Sequence, residues 1–126
     1  MIDHVSIGVR DLAISTGFYE QLLATIGLSK LQVQPTTVGF GKKYSEFWLN
    51  HRAQRMSDDG AHVCLRAPST QAVDAFHAAA LRAGGSSDGA PGPRPEYNDR
   101  YYAAFIRDLD GNRIEAVTFL RPAGEE

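Results

Sequence analysis

The chain has 126 residues, of which 43% are hydrophobic and 22% are charged, and it carries a formal net charge of −2. This length and composition predict one globular domain that buries roughly two-thirds of the surface of its unfolded chain. The slight negative charge offers no basic field for nucleic acid or an anionic membrane, and no apolar run reaches the ~20 residues that span a bilayer.

The cysteine content and the N-terminal residues bear on the compartment. Cys64 is the single cysteine, so no internal disulfide can form. Asp3 and His4 interrupt the region where a secretion signal would carry a basic and then an apolar stretch. We therefore expect a protein of the reducing cytoplasm.

The first part of the chain predicts a strand, a helix and three more strands. Residues 2–10 alternate apolar and polar side chains, which favours a strand. Asp11 is a helix-capping residue, and apolar residues at helical spacing continue to about residue 26, where Gly27 ends the pattern. The three strands that follow are Leu28–Gln34, Val38–Gly41 and Ser45–Asn50.

A second passage repeats this pattern 58 positions later. Self-similarity of this kind indicates two copies of one supersecondary unit. It also places two imidazoles at related points of a pseudo-symmetric structure. The corresponding residues are His4 and His62, Asp11 and Ser69, Phe18 and Phe76, and Gly27 and Gly85.

The second half predicts a strand at 61–67 and a helix at about 69–84. Residues 84–98 are rich in glycine and proline, so we expect mostly irregular chain with one short strand near Ser86. Asp110-Gly111 is a hairpin turn signal. It lies between the last two predicted strands, Tyr101–Arg107 and Asn112–Phe119.

Each half thus reads as a strand, a helix and further strands, which predicts an α+β fold. Two such pseudo-symmetric modules can pair into a curved sheet around a cleft, with the helices outside. We expect a single domain over residues 1–126, divided into module one (about 1–50), a linker (about 51–60), module two (about 61–120) and a frayed tail (121–126).

Three side chains on predicted strands are candidate metal ligands. His4 and His62 share one phase of the repeat, and Glu115 lies within an apolar strand, where an unpaired carboxylate is costly to bury. Two imidazoles and one carboxylate, with open coordination positions, form a general site for a divalent transition metal. The simpler reading of each residue alone is a hydrogen-bonded histidine or a surface acid. The shared phase of the histidines favours a metal.

Four short motifs of the chain are typical of one known family. They are Ile2-Asp3-His4-Val5, Phe18-Tyr19, Ala61-His62-Val63 and Asp108-Leu109-Asp110-Gly111-Asn112-Arg113-Ile114-Glu115. With them the chain resembles the vicinal oxygen chelate superfamily, also called the glyoxalase, bleomycin-resistance and dioxygenase superfamily. The resemblance covers about residues 2–119 and departs from the family at Leu109, where proline is common. It implies paired βαβββ modules, metal ligands at His4, His62 and Glu115, and frequently a homodimer with sites shared between subunits.

One departure from the family limits the reactions that we expect this chain to catalyse. Bacterial glyoxalase I enzymes take a fourth ligand, a glutamate, from the last strand of the first half. Aligning the two halves puts Trp48 at that position, and indole cannot bind a metal ion. We therefore expect a three-ligand site and no glyoxalase I activity. Such sites resemble those of extradiol dioxygenases and fosfomycin-inactivating thiol transferases, but Ala103 and Phe105 stand where the latter are polar.

The segment before the penultimate strand carries further candidates. Tyr97 and Tyr101 are candidate proton donors, and Arg100 is a candidate contact for an anionic substrate. Equally, the tyrosines can fill space between modules while the arginines are solvated. The remaining candidate substrate contacts are Ser6, Trp48, Cys64 and Arg113, although a thiol packed in the core is the simpler reading of Cys64. His51 and His77 are expected to be solvated.

Two functions remain open. The first is a metal-dependent isomerase, lyase, thiol transferase or oxygenase acting on a small substrate that chelates the ion through oxygens. Its ion can be Fe, Mn, Ni, Co or Zn. The second is a metal-free small-molecule binding protein of the bleomycin-resistance type, or an inactive relative kept for interaction. The presence of all three potential ligands favours the enzyme.

Overall fold

The computed structural model describes residues 1–54 and 60–121, which contain eight strands and two helices. Within these residues, neither helix is long and apolar enough to cross a membrane. The elements are β1 (Val5–Val9), α1 (Leu12–Ala24), β2 (Ser29–Val33), β3 (Thr37–Gly41), β4 (Ser45–His51), β5 (Val63–Arg66), α2 (Thr70–Arg82), β6 (Ser86–Pro93), β7 (Tyr101–Arg107) and β8 (Arg113–Phe119).

Each half of the chain forms its own four-stranded mixed sheet. The strand order is β1-β4-β3-β2 in the first sheet and β5-β8-β7-β6 in the second. β1 runs parallel to its neighbour β4, and β5 runs parallel to its neighbour β8. All other neighbouring strands in the two sheets are antiparallel. The predicted α+β fold of two βαβββ modules is therefore confirmed.

Both helices begin at the predicted capping residues. The Asp11 carboxylate accepts a hydrogen bond from the Ile14 amide at 3.1 Å, and the Ser69 hydroxyl accepts one from the Ala72 amide at the same distance. These bonds satisfy amide groups that have no partner within the helix. The repeat therefore extends to the local geometry of the two caps.

The glycines that end the two helices do not correspond as predicted. Gly27 has a φ of 88° after α1, but after α2 the left-handed residue is Gly84, with a φ of 105°, and not Gly85. Gly85 is required for close packing instead. A Cβ at this position would lie 2.8 Å from the Arg107 carbonyl oxygen and 2.9 Å from the Phe18 ring.

The segment after α2 is more regular than the sequence predicts. An eight-residue strand, β6, replaces the expected irregular chain, and it pairs with β7 despite two shifts in register. Arg94 supplies hydrogen bonds that this strand would otherwise lack. Its guanidinium donates to the carbonyl of Ala90 at 2.7 Å and to that of Gly92 at 3.0 Å, and it lies 5.5 Å from the Phe105 ring centroid.

The two modules share a hydrophobic core, where α1 packs against α2, and a buried polar junction. Asp108 is the centre of this junction. One of its oxygens accepts from the Tyr19 hydroxyl at 2.6 Å, and the other accepts from the amides of Asp110 and Asn112 at 2.9 and 2.8 Å. The Asn112 side chain donates to the Gly8 carbonyl at 3.0 Å. The turn between β7 and β8 therefore fixes module two against module one.

Candidate functional site

Glu115 is a buried carboxylate in the second sheet, with a side chain that is 3% exposed. One carboxylate oxygen lies 3.1 Å from His62 Nε2, and the other accepts a hydrogen bond from the Tyr101 hydroxyl. Burying a carboxylate is costly unless it is paired. These contacts make Glu115 the focus of a polar cluster on a strand whose other central residues are apolar.

Strand register brings the members of this cluster together. Cys64 on β5 is the register partner of Glu115 on β8. His62 precedes Cys64 by two residues, so the two side chains project from the same face of the strand. Phe105 on β7 is the other register partner of Glu115, and its ring centroid lies 6.4 Å from that of His62.

Cys64 is exposed and lies beside Glu115. The prediction that its thiol packs in the core is therefore wrong. The residues of β5 that pack against the core are Val63 and Leu65, because side chains alternate along a strand. Desolvation, followed by the negative charge of Glu115, raises the pKa of the Cys64 thiol to about 12. The thiol is therefore protonated at neutral pH and is a poor nucleophile.

Tyr101 continues the cluster into a row of aromatic rings. Desolvation and the hydrogen bond to Glu115 raise the pKa of its hydroxyl above 10, so Tyr101 is a neutral donor. Its ring makes edge-to-face contacts with Tyr97 at 5.0 Å and with Phe119 at 5.4 Å between centroids. The guanidinium of Arg66 lies 4.7 Å from the Phe119 ring centroid.

A pocket of about 580 Å³ opens at the end of this row. Such a volume lies within the range of small-molecule sites. The pocket adjoins the Glu115 cluster because Phe119, one of its walls, is the ring on which Tyr101 packs. Its lining residues are Arg66, Asn98, Asp99, Arg100 and Phe119.

Module one presents a different set of residues at the equivalent positions. Ser6 on β1 is the register partner of Trp48 on β4, as Cys64 is of Glu115. The register therefore puts Trp48 at the position of module one that Glu115 takes in module two. Ser6 is exposed and Trp48 is partly buried. A Cβ on Gly39 would lie 2.9 Å from the Trp48 ring, so this glycine leaves room for the indole.

The three predicted metal ligands do not come together within one chain. His62 and Glu115 are in contact, but His4 precedes β1 of the other sheet, where its side chain is 54% exposed and its Nδ1 lies 2.8 Å from Asp3. Among residues 1–54 and 60–121, no group of three or more His, Cys, Asp or Glu side chains is arranged to hold an ion. A single chain thus supplies two of the three expected ligands.

The His62–Glu115 pair nevertheless fits a metal ion in its chemistry and spacing. Two ligands that lie ~2.0–2.2 Å from one ion are about 2.8–3.1 Å apart in octahedral geometry and about 3.3–3.6 Å apart in tetrahedral geometry. The separation of 3.1 Å between Nε2 and the carboxylate oxygen matches the upper end of the octahedral range, and it is also the length of a hydrogen bond between the two groups. Further ligands have to come from outside the pair.

Arg113, another candidate substrate contact, binds a carboxylate other than Glu115. Arg113 Nε contacts Asp88 at 3.1 Å, and Arg107 contacts the same carboxylate at 3.6 Å. His51 is exposed, as predicted, but the prediction for His77 is wrong. His77 is only 8% exposed and its Nε2 lies 2.8 Å from the Ser87 hydroxyl, because the unexpected length of β6 covers this face of α2.

Two residues of the pocket were missed by reasoning from the sequence. Arg66 shares a strand face with His62 and Cys64, and that alternation was the available signal for its position. Phe119 gave no signal, because an aromatic residue at the end of a strand most often belongs to the core. Its exposure beneath Arg66 depends on the pairing of β8 with β5 and β7.

The paired βαβββ modules are those of a glyoxalase-like domain. The chain belongs to the Glyoxalase/Bleomycin resistance protein/Dioxygenase superfamily, whose family model matches residues 1–116. Among curated protein sequences, none matches this chain.

Solved structures support the fold. A glyoxalase/bleomycin resistance protein from Albidiferax ferrireducens T118 is 31% identical, with a TM-score of 0.83 over 91% of this chain and 96% of that one. A family enzyme from Burkholderia phytofirmans PsJN is 20% identical, with a TM-score of 0.74 over 94% and 98% of the two chains. The fosfomycin resistance protein FosX from Listeria monocytogenes is 14% identical, with a TM-score of 0.70 over 93% and 91%.

Proposed function

We propose that this protein is a divalent-metal-dependent enzyme acting on a small substrate that binds the ion through neighbouring oxygens. The observation that carries this proposal is the buried carboxylate of Glu115, 3.1 Å from His62 Nε2. A mutant form of the similarly folded FosX was crystallised with Mn(II) and 1S,2S-dihydroxypropylphosphonic acid. That structure supports metal chemistry on this fold.

In this proposal each residue of the cluster has a distinct task. His62 and Glu115 hold the ion, which when bound supplies Lewis-acid polarisation of substrate oxygens. Tyr101 donates to the second oxygen of Glu115 and fixes the orientation of the carboxylate. Tyr97, which is 58% exposed, contacts Tyr101 edge to face and is placed to meet substrate or solvent.

We further propose that the enzyme is a homodimer in which His4 of the partner subunit completes the ligand set. His4 is more than half exposed and immediately precedes β1, in the sheet that does not contain Glu115. A second copy is a direct source for the third ligand that one chain does not supply. In such a dimer Ser6 and Trp48 would line the same cleft, Ser6 as a polar contact and Trp48 as a flat apolar one. They follow His4 by two and 44 residues.

The alternative function is metal-free binding of a small molecule. One observation favours it: the described residues of one chain hold no group of three potential ligands. The two proposals differ in what they require of Glu115. A binding protein has no need for a buried carboxylate in contact with an imidazole, whereas a metal site does.

Metal titration of untagged protein separates these proposals. After removal of bound ions, we expect one Mn, Fe, Co, Ni or Zn ion per predicted site. Glu115→Gln and His4→Gln should each weaken binding by more than the ~10–100-fold typical of an outer contact. His51→Gln, a change at an exposed histidine outside the cluster, is the matched control. Absence of binding with all five metals would favour the metal-free protein, and binding unaffected by Glu115→Gln would contradict the proposed ligand set.

A further inference from the structure

The pocket at the end of the aromatic row is lined by two arginine side chains. It is lined by Arg66 and Arg100 together with one carboxylate, Asp99, which leaves a net charge of +1. Within the described residues, neither guanidinium makes a salt bridge. The pocket is therefore electropositive in a chain whose net charge is negative.

The two arginines are held in place while most of their hydrogen-bond donors stay available. The guanidinium carbon of Arg66 lies over Phe119 at 4.7 Å from the ring centroid, a cation–π contact that restricts the side chain. Arg100 donates its Nε to the Leu120 carbonyl, and its amide donates to the Asn98 side chain at 2.8 Å. Guanidinium groups held in this way match the geometry of carboxylate and phosphate oxygens.

The position of the pocket relates it to the Glu115 cluster. Arg66 follows Cys64 by two residues on the same face of β5, which separates their Cα atoms by about 6.6 Å. Cys64 is in turn the register partner of Glu115. The pocket and the His62–Glu115 pair therefore lie along the same face of the second sheet.

We propose that Arg66 and Arg100 form an anion subsite that binds a carboxylate or phosphate group of the substrate, with Phe119 as an apolar wall. This inference rests on the proposed function, because it names the substrate class of the same site. It predicts a substrate with metal-chelating oxygens at one end and an anionic group at the other. Neutral diols and ketones without such a group would be poor substrates.

Binding of three matched aromatic probes to metal-free protein tests the subsite. Benzoate, phenyl phosphate and neutral benzamide are titrated at low ionic strength, after the chelator has been dialysed away, and amide NMR shifts locate the binding. We expect the anions to shift the signals of residues 98–100 and 119 and to bind at least tenfold more tightly than benzamide. Comparison of benzoate with phenyl phosphate shows which anion the subsite prefers.

Variants then assign the effect to the two arginines. Arg66→Gln and Arg100→Gln should each weaken anion binding by about tenfold or more, the loss of one charge-assisted hydrogen bond. Arg66→Lys should retain part of the affinity, because it keeps the charge and loses the planar fork. Arg82→Gln, at an exposed position on α2, is the charge-matched control and should bind as the wild type does.

Three results would overturn the proposed subsite. They are equal affinity for benzoate and benzamide, NMR shifts away from residues 98–100 and 119, and a loss of anion binding in Arg82→Gln equal to that in the Arg66 and Arg100 variants. Because the experiment is carried out without metal, such a result leaves the proposed metal site standing. Conversely, anion binding in a protein that takes up no metal would support the subsite and contradict the proposed enzyme.

Discussion

Tyr19→Phe tests the polar junction that positions module two against module one. The Tyr19 hydroxyl is fully buried and donates to Asp108 at 2.6 Å. The same carboxylate oxygen keeps a second partner, the Asn112 side chain at 2.9 Å, so the loss is that of one hydrogen bond to a charged group. That bond is worth about 1.5–3 kcal/mol, which for a chain of this length lowers Tm by about 5–15 °C.

Thermal and urea unfolding measure this loss, with Tyr102→Phe as the matched control. The Tyr102 hydroxyl donates to Asp74 at 2.7 Å, but at the surface, where the removal should cost about 0.5 kcal/mol or less. Equal losses of stability in the two variants would refute the assignment of Asp108 as a buried junction.

The pH dependence provides a second readout of the same change. Burial, followed by the charge of Asp108, raises the pKa of Tyr19 well above 10. The folded protein therefore holds this proton more tightly than the unfolded chain, and stability is lost as pH rises above 10. Tyr19→Phe should reduce that alkaline loss, and an unchanged alkaline slope would contradict the reasoning.

Three further changes probe other parts of the chain. Burial lowers the pKa of His77 below 6.5, so the folded protein should lose stability as pH drops through 6.5. His77→Gln can still bond Ser87 and should remove this dependence, as measured by urea unfolding at pH 5 and pH 7. An unchanged dependence of stability on pH in the variant would contradict this reasoning. In metal-free protein, iodoacetamide should modify Cys64 slowly at pH 8, because the surroundings raise the pKa of the thiol to about 12. Glu115→Gln should accelerate this reaction. Equal rates in the two proteins would exclude an effect of the carboxylate. The wild type should not isomerise the methylglyoxal–glutathione hemithioacetal, because Trp48 takes the place of a carboxylate ligand. Trp48→Glu should tighten Ni or Zn binding. Turnover by the wild type, or unchanged metal affinity in the variant, would place Trp48 outside the site.

The fold could be predicted because local signals and the repeat agree. Asp11 and Ser69 cap their helices by the same hydrogen bond, as expected from residues 58 positions apart. The strand register also repeats, and it agrees with the alignment of Trp48 with Glu115 that was made from the sequence. Consistency between local propensity and overall topology made this part of the structure predictable.

The strand β6 could not be predicted, because what stabilises it lies outside its own residues. Its glycines and prolines have low β-propensity, and the pairing depends on β7 and on the Arg94 guanidinium that binds its carbonyl groups. The error at His77 has the same origin. A histidine beside Phe76 reads as solvated until β6 and Ser87 cover it.

The segment from Asp108 to Glu115 combines two roles that the sequence does not separate. Asp108, Asp110 and Asn112 bind the first module through Tyr19, Arg10 and Gly8, and they serve the fold. Glu115 belongs to the cluster with His62 and Tyr101. Only the positions of their hydrogen-bond partners distinguish a structural carboxylate from a candidate ligand.

A crystal structure of the protein grown with Mn²⁺ or Zn²⁺, with anomalous diffraction data, tests the central claim most directly. The proposal predicts an anomalous peak about 2.0–2.2 Å from His62 Nε2 and a Glu115 oxygen, with His4 of the partner subunit as the third protein ligand. A map in which the His62–Glu115 contact of 3.1 Å persists without an ion, or in which the ion binds elsewhere, would contradict it.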